Sequence, residues 1–222
     1  MLGRVVQVAK GVPREYPNPF PSDHPSKTWR TSFFREPIEG KVTVGPRGID
    51  GDEVADKVHH GKPTQGLLAY AAGHYPTWRA ELDLPDIGPG GFGENLTIAG
   101  VDENGVCLGD RLRIGSTAFA VMSPRYPCWK IDYRWKRKGI TGRVAETGRC
   151  GWYLRVEQPG TLAAGDVVEL IERHESAVTV ATAARAAFGP KPFADAASRV
   201  VESSADMDPE LREAVRGRMA KT

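Results

Sequence analysis

Apolar and polar residues alternate over residues 2–9, which predicts an opening strand with one face turned inward. The stretch from there to Lys27 carries Pro13, Pro17, Pro19, Pro21 and Pro25. Proline has no backbone N–H, so regular ladders are not expected there and the segment reads as a surface loop. Residues 39–44 predict a second short strand, stopped by Gly45-Pro46-Arg47-Gly48. Tyr75, Trp78 and Leu82 stand at i, i+3 and i+7, a helical spacing that predicts a helix over residues 74–82 ended by Pro85. Gly88, Gly90, Gly91 and Gly93 read as a turn. A phosphate loop would need a preceding strand and a Gly-Lys-Ser/Thr ending, and neither is present.

The strand pattern returns at residues 96–98, 111–114, 117–122, 152–156 and 167–171, with Gly115-Ser116 as a two-residue hairpin signal. Short strands, glycine-rich turns and only one or two helices predict a closed or strongly curved mixed sheet rather than a parallel α/β sheet. After Ser176 the chain turns alanine- and arginine-rich. Residues 181–188, 193–203 and 209–219 predict three short helices separated by Pro190-Lys191-Pro192 and Asp206-Met207-Asp208-Pro209. The expected fold is mainly β with some α, a barrel-like domain over residues 1–175 followed by a small three-helix unit over 176–222.

Composition narrows the function classes. With 40% hydrophobic and 26% charged residues in 222, the chain is ordinary globular material, enough for one core or one core and a satellite. Thirty Lys and Arg against 28 Asp and Glu give a net charge of +2. That offers no general attraction to nucleic acid or an acidic membrane, so any electrostatic argument must be local. Without a secretory stretch or a run of roughly 18 apolar residues, a cytoplasmic location away from membranes is expected. Cys107, Cys128 and Cys150 are odd in number and unevenly spaced, which argues against a disulfide framework.

Each cysteine is then either packing or chemistry. Cys128 lies in Ser123-Pro124-Arg125-Tyr126-Pro127-Cys128-Trp129-Lys130, directly after a predicted strand. Two prolines hold the thiol at an element end, and Arg125 and Lys130 favour a thiolate, which is both a nucleophile and a soft metal ligand. Cys107 and Cys150 read as packing residues. In the segment 48–63, a helix over residues 53–59 would set Asp52, Asp56 and His59 or His60 on one face; a helix N-cap by Asp52 with solvated acids behind it is the plainer reading. Gly91-Phe92-Gly93-Glu94-Asn95 is either a β-turn or a close backbone approach to a ligand, with Asn95 offering a donor and an acceptor. In Trp129 and the residues up to Lys138, aromatics interleave with five basic residues. A single-stranded nucleic-acid platform has that composition, but Ile131 and Trp135 share a helical face, so an amphipathic helix with a basic outer side is the favoured expectation.

Three motifs occur in order: Gly51-Asp52-Glu53-x-x-Asp56 leading to His60-Gly61, Phe92-Gly93-Glu94-Asn95-Leu96, and Pro124-Arg125-x-Pro127-Cys128-x-Lys130. Together they resemble the MOSC family of molybdenum-cofactor proteins, and within it the bacterial YiiM-type subgroup, over nearly the whole chain. The resemblance implies a barrel-like domain holding the molybdenum cofactor, with Cys128 binding the metal. His60, Arg125 and Lys130 would meet the cofactor's phosphate and pterin oxygens, Asn95 its pterin edge, and Asp52 and Glu94 would belong to the same site. It also implies reduction of N-hydroxylated bases such as 6-hydroxylaminopurine, with a non-catalytic carrier of the cofactor or its sulfur as the alternative. A metal-free hydrolase pairing Cys128 with His60 or His74 is a third reading. The chain has neither a dinucleotide fingerprint nor cysteines for an iron–sulfur cluster, so a separate reductase or ferredoxin-like donor is expected, docking on the helical tail. A homodimer is compatible with the sequence. Lys62 departs from the subgroup's usual glycine and Ser123 from its usual glutamine; Lys62 would alter the pocket rim.

Overall fold

The computed structural model describes residues 1–22, 26–58, 60–190, 194–202 and 208–221. Its strands are β1 (Gly3–Lys10), β2 (Arg14–Pro17), β3 (Thr28–Thr31), β4 (Glu36–Pro37), β5 (Lys41–Gly45), β6 (Gly48–Ile49) and β7 (Leu67–Ala71). They continue as β8 (Leu96–Ala99), β9 (Arg111–Ile114), β10 (Thr117–Pro124), β11 (Trp152–Gln158), β12 (Gly160–Ala163) and β13 (Val167–Glu172). The helices are α1 (His74–Leu82), α2 (Lys130–Trp135), α3 (Ile140–Thr147), α4 (Val180–Phe188), α5 (Ala194–Glu202) and α6 (Pro209–Met219).

Seven strands close on themselves in the order β13-β9-β10-β11-β7-β8-β1, because β1 pairs back to β13 through Gly3↔Val168 and Arg4↔Val167. Closure leaves no sheet edge within the ring. Alternation explains most of it. In β9, Leu112 and Ile114 point into the core while Arg111 and Arg113 face Glu172 and Glu169 of β13 across the outer surface. The β9–β10 hairpin turns on Gly115-Ser116 as expected, with Ile114 opposite Thr117.

β7 and β8 run parallel, and a parallel pair needs a crossover, which α1 supplies. This crossover gives β7 a second covered face, so all five of its residues are buried and no alternation marks it in the sequence. Behind it, Tyr70, Tyr75, Trp78, Ile87 and Phe92 form a second buried cluster with Ile140 and Val144 of α3.

Two expectations are corrected. The proline-rich stretch is not wholly irregular: β2 pairs with β3 as a two-stranded ribbon, tolerated because Pro17 sits at the end of its strand opposite Thr28 and Pro13 precedes it. Pro25 lies outside the described residues. More helix precedes the tail than expected. α3 follows Gly139 and contains Gly142, poor helix signals, and its start is instead secured by Asp132, which accepts from the Gly139 N–H at 3.0 Å and the Thr141 N–H at 2.7 Å.

The tail helices α4 and α6 begin on side-chain caps, Thr179 for α4 and Asp208 for α6. Phe193 and Ser203, the expected ends of the middle helix, lie outside the described residues, as do Lys191, Pro192, Asp206 and Met207 of the separators. Ala183, Ala186 and Ala187 of α4, Val200 of α5 and Leu211 and Val215 of α6 belong to the same buried cluster as the barrel interior. Ala184 reaches the α1–α3 cluster instead. Alanines on both sides let α4 lie close against the barrel. All three cysteines are free. Among the described residues no helix is long and apolar enough to cross a membrane.

Ala184→Leu forces three extra carbons into a fully buried site, and denaturant unfolding is expected to show a loss of about 1–3 kcal/mol. An unchanged midpoint would mean that α4 is not packed as described.

Candidate functional site

β10 ends at Pro124, and the chain turns across one end of the barrel before α2. The turn is pinned at both ends. The Arg125 N–H donates to the Gly151 carbonyl at 3.0 Å. The Cys128 carbonyl accepts from the Ile131 N–H at 3.1 Å and from the Thr141 hydroxyl at 3.0 Å. Cys128 is thereby fixed, half-buried, in the wall of a cavity of about 380 Å³.

Arg125 is buried beneath it. Its Nη2 lies 3.7 Å from Cys128 Sγ and its guanidinium 5.9 Å from the centre of the Phe33 ring. Its Nη1 is buried with no hydrogen-bond partner among the described residues, and so is Oε1 of Gln65; both residues line the cavity. A buried cation with an unused donor is costly unless something completes it. Tyr153 of β11 also lines the cavity, and burial pushes its hydroxyl pKa up, so it stays a neutral hydrogen-bond donor at ordinary pH. Five Lys or Arg residues (Arg35, Arg47, Lys57, Arg125, Lys130) face three acids (Asp52, Glu53, Asp56) in the lining. That balance suits an anionic ligand.

The opposite wall is a hydrogen-bonded brace. Asp52 accepts from Arg35 and from the Gly11 N–H at 2.8 Å, and its other oxygen accepts from the Asn95 amide at 3.0 Å. Asn95 donates also to the Ala9 carbonyl and accepts from the Leu68 N–H at 3.0 Å. Asn95 and Asp52 therefore line the cavity as expected, but both donor hydrogens of the Asn95 amide are committed to protein, which leaves none for a pterin edge.

Glu94 lies outside the lining. Its buried carboxylate accepts from Tyr75, from the Gly90 and Phe92 N–H groups at 2.7 and 3.1 Å, and from Thr97 at 2.8 Å. It shapes the glycine turn instead of touching a ligand. The turn needs Gly93: its φ is +74°, and any Cβ would come within 2.9 Å of the Phe33 ring.

The helix considered for residues 53–59 does not form over its described part. Asp52 is drawn away to Gly11 and Arg35, and Asp56 Oδ1 accepts from the Val58 N–H at 3.1 Å, a local turn that competes with helix. His60 still reaches the cavity, whereas His59 lies outside the described residues. His74 does not approach Cys128: it bonds Glu103 at 2.6 Å, outside the lining. Among the described residues no group of three or more His, Cys, Asp or Glu side chains converges as a metal-ion site. A metal held here through Cys128 must bring most of its ligands with it.

The MOSC domain profile matches residues 56–169, and the YiiM protein of Escherichia coli is 36% identical over 161 residues, covering 71% of this chain and 70% of that one. The chain belongs to the MOSC domain family, as a member of the YiiM type. A protein named Reductase from Gibberella moniliformis is 35% identical over 148 residues, 64% of this chain and 26% of its own length. The crystal structure of YiiM from Geobacillus stearothermophilus shares the fold, with a TM-score of 0.78 at 24% identity over 98% of this chain and 99% of that one.

Within this MOSC fold the two departures meet the same element. Lys62 pairs with Glu210 in the first turn of α6, and the Ser123 hydroxyl lies 3.3 Å from Asp208, the cap of the same helix. Arg35, Gln65 and Tyr153 escaped the sequence reading. Arg35 and Gln65 carry no local motif, and Tyr153 enters only because β11 pairs Tyr153 with Ser123 of β10.

Asn95→Leu strands the Leu68 N–H, the Ala9 carbonyl and one Asp52 oxygen, at about 1–3 kcal/mol for each unsatisfied group. Urea unfolding is expected to show a loss of at least about 2 kcal/mol; no loss would refute the brace.

Proposed function

We propose that the chain is a molybdenum-cofactor-dependent reductase of N-hydroxylated bases, 6-hydroxylaminopurine among them, or of related N-hydroxylated compounds. One observation carries the reading: the Cys128 thiol shares a cavity wall with a buried Arg125 whose Nη1 has no partner among the described residues. A soft sulfur beside an uncompleted cation fits a metal that arrives chelated by an anionic organic group, and among the described residues a bare divalent ion would find no ligand cluster there. Membership of the MOSC family, whose domains are associated with proteins of the molybdenum-cofactor sulfurase type, and a relative named Reductase support the same reading.

In this reading Cys128 holds the molybdenum, Arg125 and Lys130 hold the phosphate, and His60 and Gln65 meet pterin polar groups. Asp52, Arg35 and Asn95 keep the far wall rigid. When bound, the cofactor supplies two-electron chemistry: the N–O bond breaks, and R–NHOH with two electrons and two protons gives R–NH2 and water. Tyr153 presents its hydroxyl to the substrate as a hydrogen-bond donor. Three cysteines in the whole chain are too few for a four-cysteine iron–sulfur cluster, so the electrons come from a separate protein in the same reducing, cytoplasmic compartment.

Expression in hosts with and without molybdopterin synthesis is expected to give metal, pterin fluorescence and 6-hydroxylaminopurine reduction in the first host alone. Cys128→Ser is expected to lower bound molybdenum and turnover by at least about tenfold. Equal metal content and turnover in that variant would sink the proposal; a metal-loaded protein that turns nothing over would identify a carrier.

A further inference from the structure

The surface beside the cavity is unlike the rest of the chain. Residues 130–138 hold Lys130, Arg134, Lys136, Arg137 and Lys138 against Asp132, a sum of +4, while the whole chain sums to +2, so everything else sums to −2. The one acid in this segment, Asp132, is half-buried and caps the start of α3 through the Gly139 and Thr141 N–H groups. Among the described residues, Lys130, Arg134, Lys136 and Arg137 form no ion pair. Lys136 and Arg137 are exposed, and Arg137 is steadied by donating to the Leu82 carbonyl.

At the edge of this patch Trp129 is 50% exposed. It is held there, edge-on to Tyr133 at 4.6 Å and tilted against the buried Trp29 at 5.4 Å. A packed, half-exposed tryptophan with Lys130 5.9 Å over its ring, in a basic segment, has the composition of an interface centre. Its chain neighbours on both sides, Cys128 and Lys130, line the cavity. Whatever sits on Trp129 lies next to the proposed metal ligand.

We infer that this face, Trp129 and Tyr133 with the basic turn at 136–138, is the docking surface for an acidic one-electron carrier protein. The inference rests on the reductase reading, which needs such a donor and needs it close, because electron transfer slows exponentially with distance. The favourable charge is local, as a compact acidic patch on a partner protein requires. A nucleic-acid strand is favoured by a long basic track, whereas the chain outside residues 130–138 carries a formal sum of −2 and no general attraction to it. Nor do the rings form a ladder for successive bases, since Trp129 stands at 72° to Tyr133 and 56° to Trp29.

The test uses the full, cofactor-loaded chain with an acidic plant-type ferredoxin and an acidic flavodoxin as probes. Binding is measured by calorimetry at several salt concentrations, and turnover is driven either by the reduced carrier or by reduced methyl viologen, which needs no docking. The Lys136→Glu, Arg137→Glu double variant is expected to weaken carrier binding and carrier-driven turnover by about tenfold or more, to flatten their salt dependence, and to leave viologen-driven turnover unchanged. Trp129→Ala is expected to weaken carrier binding too; because it also removes ring packing on Trp29 and Tyr133, a lowered melt is expected and binding is compared at a temperature where both proteins are folded. Unchanged carrier binding in both variants, or no binding of either carrier by the parent chain, would overturn the inference. So would tighter binding of a single-stranded oligonucleotide than of the carriers, lost in the same variants. Absent viologen-driven turnover in the parent would count against the reductase reading alone, because salt-sensitive carrier binding at this face would still be measured directly.

Discussion

A carboxyl group buried away from water must find donors, and the four that gather on Glu94 set much of the site's geometry. They come from α1, from both sides of the glycine turn and from β8, so a single side chain ties the crossover to the barrel. Burial raises the pKa of Tyr75, with Glu94 as a further cause, and this keeps the phenol protonated as one of those donors. With the turn held, Gly93 passes the Phe33 ring and its carbonyl accepts from Arg35 at 2.7 Å. Asn95 then follows in position to hold Asp52. The far wall of the cavity is thus one continuous hydrogen-bonded chain, from Glu94 through the turn to Asn95, Asp52 and Arg35.

The near wall is built by different means. Two prolines stiffen the approach to Cys128, but its position comes from backbone bonds to Gly151, Ile131 and Thr141, three segments brought together only by the closed sheet and the α2–α3 corner. Asp132 serves that corner as a cap, and in doing so it commits the one carboxylate of residues 130–138 to the Gly139 and Thr141 N–H groups. The same bonds that steady Cys128 from below leave the outer face of α2 basic. Packing and surface charge are here two results of one arrangement.

Much of this was legible in the chain. α1 could be read because its stripe of Tyr75, Trp78 and Leu82 has one buried side, and the β9–β10 hairpin because its turn is local. Cys128 stood out through neighbours two or three residues away. β7 could not be read, since a strand covered on both faces shows no alternation, and the helix considered for residues 53–59 was not formed because Asp52 finds partners from β1 onward rather than along its own segment. The motif around Glu94 and Asn95 was visible, yet its residues turned out to bond protein groups.

The sequence by itself determined the local matters: which stretches alternate, where the turns fall, which thiol sits among cations, and that the chain is a MOSC protein. Only the tertiary structure decided which polar atoms remain unpartnered. That property depends on the full set of neighbours within hydrogen-bond reach, and for Arg125 and Gln65 those neighbours arrive from residues far away in the chain, through barrel closure and strand register.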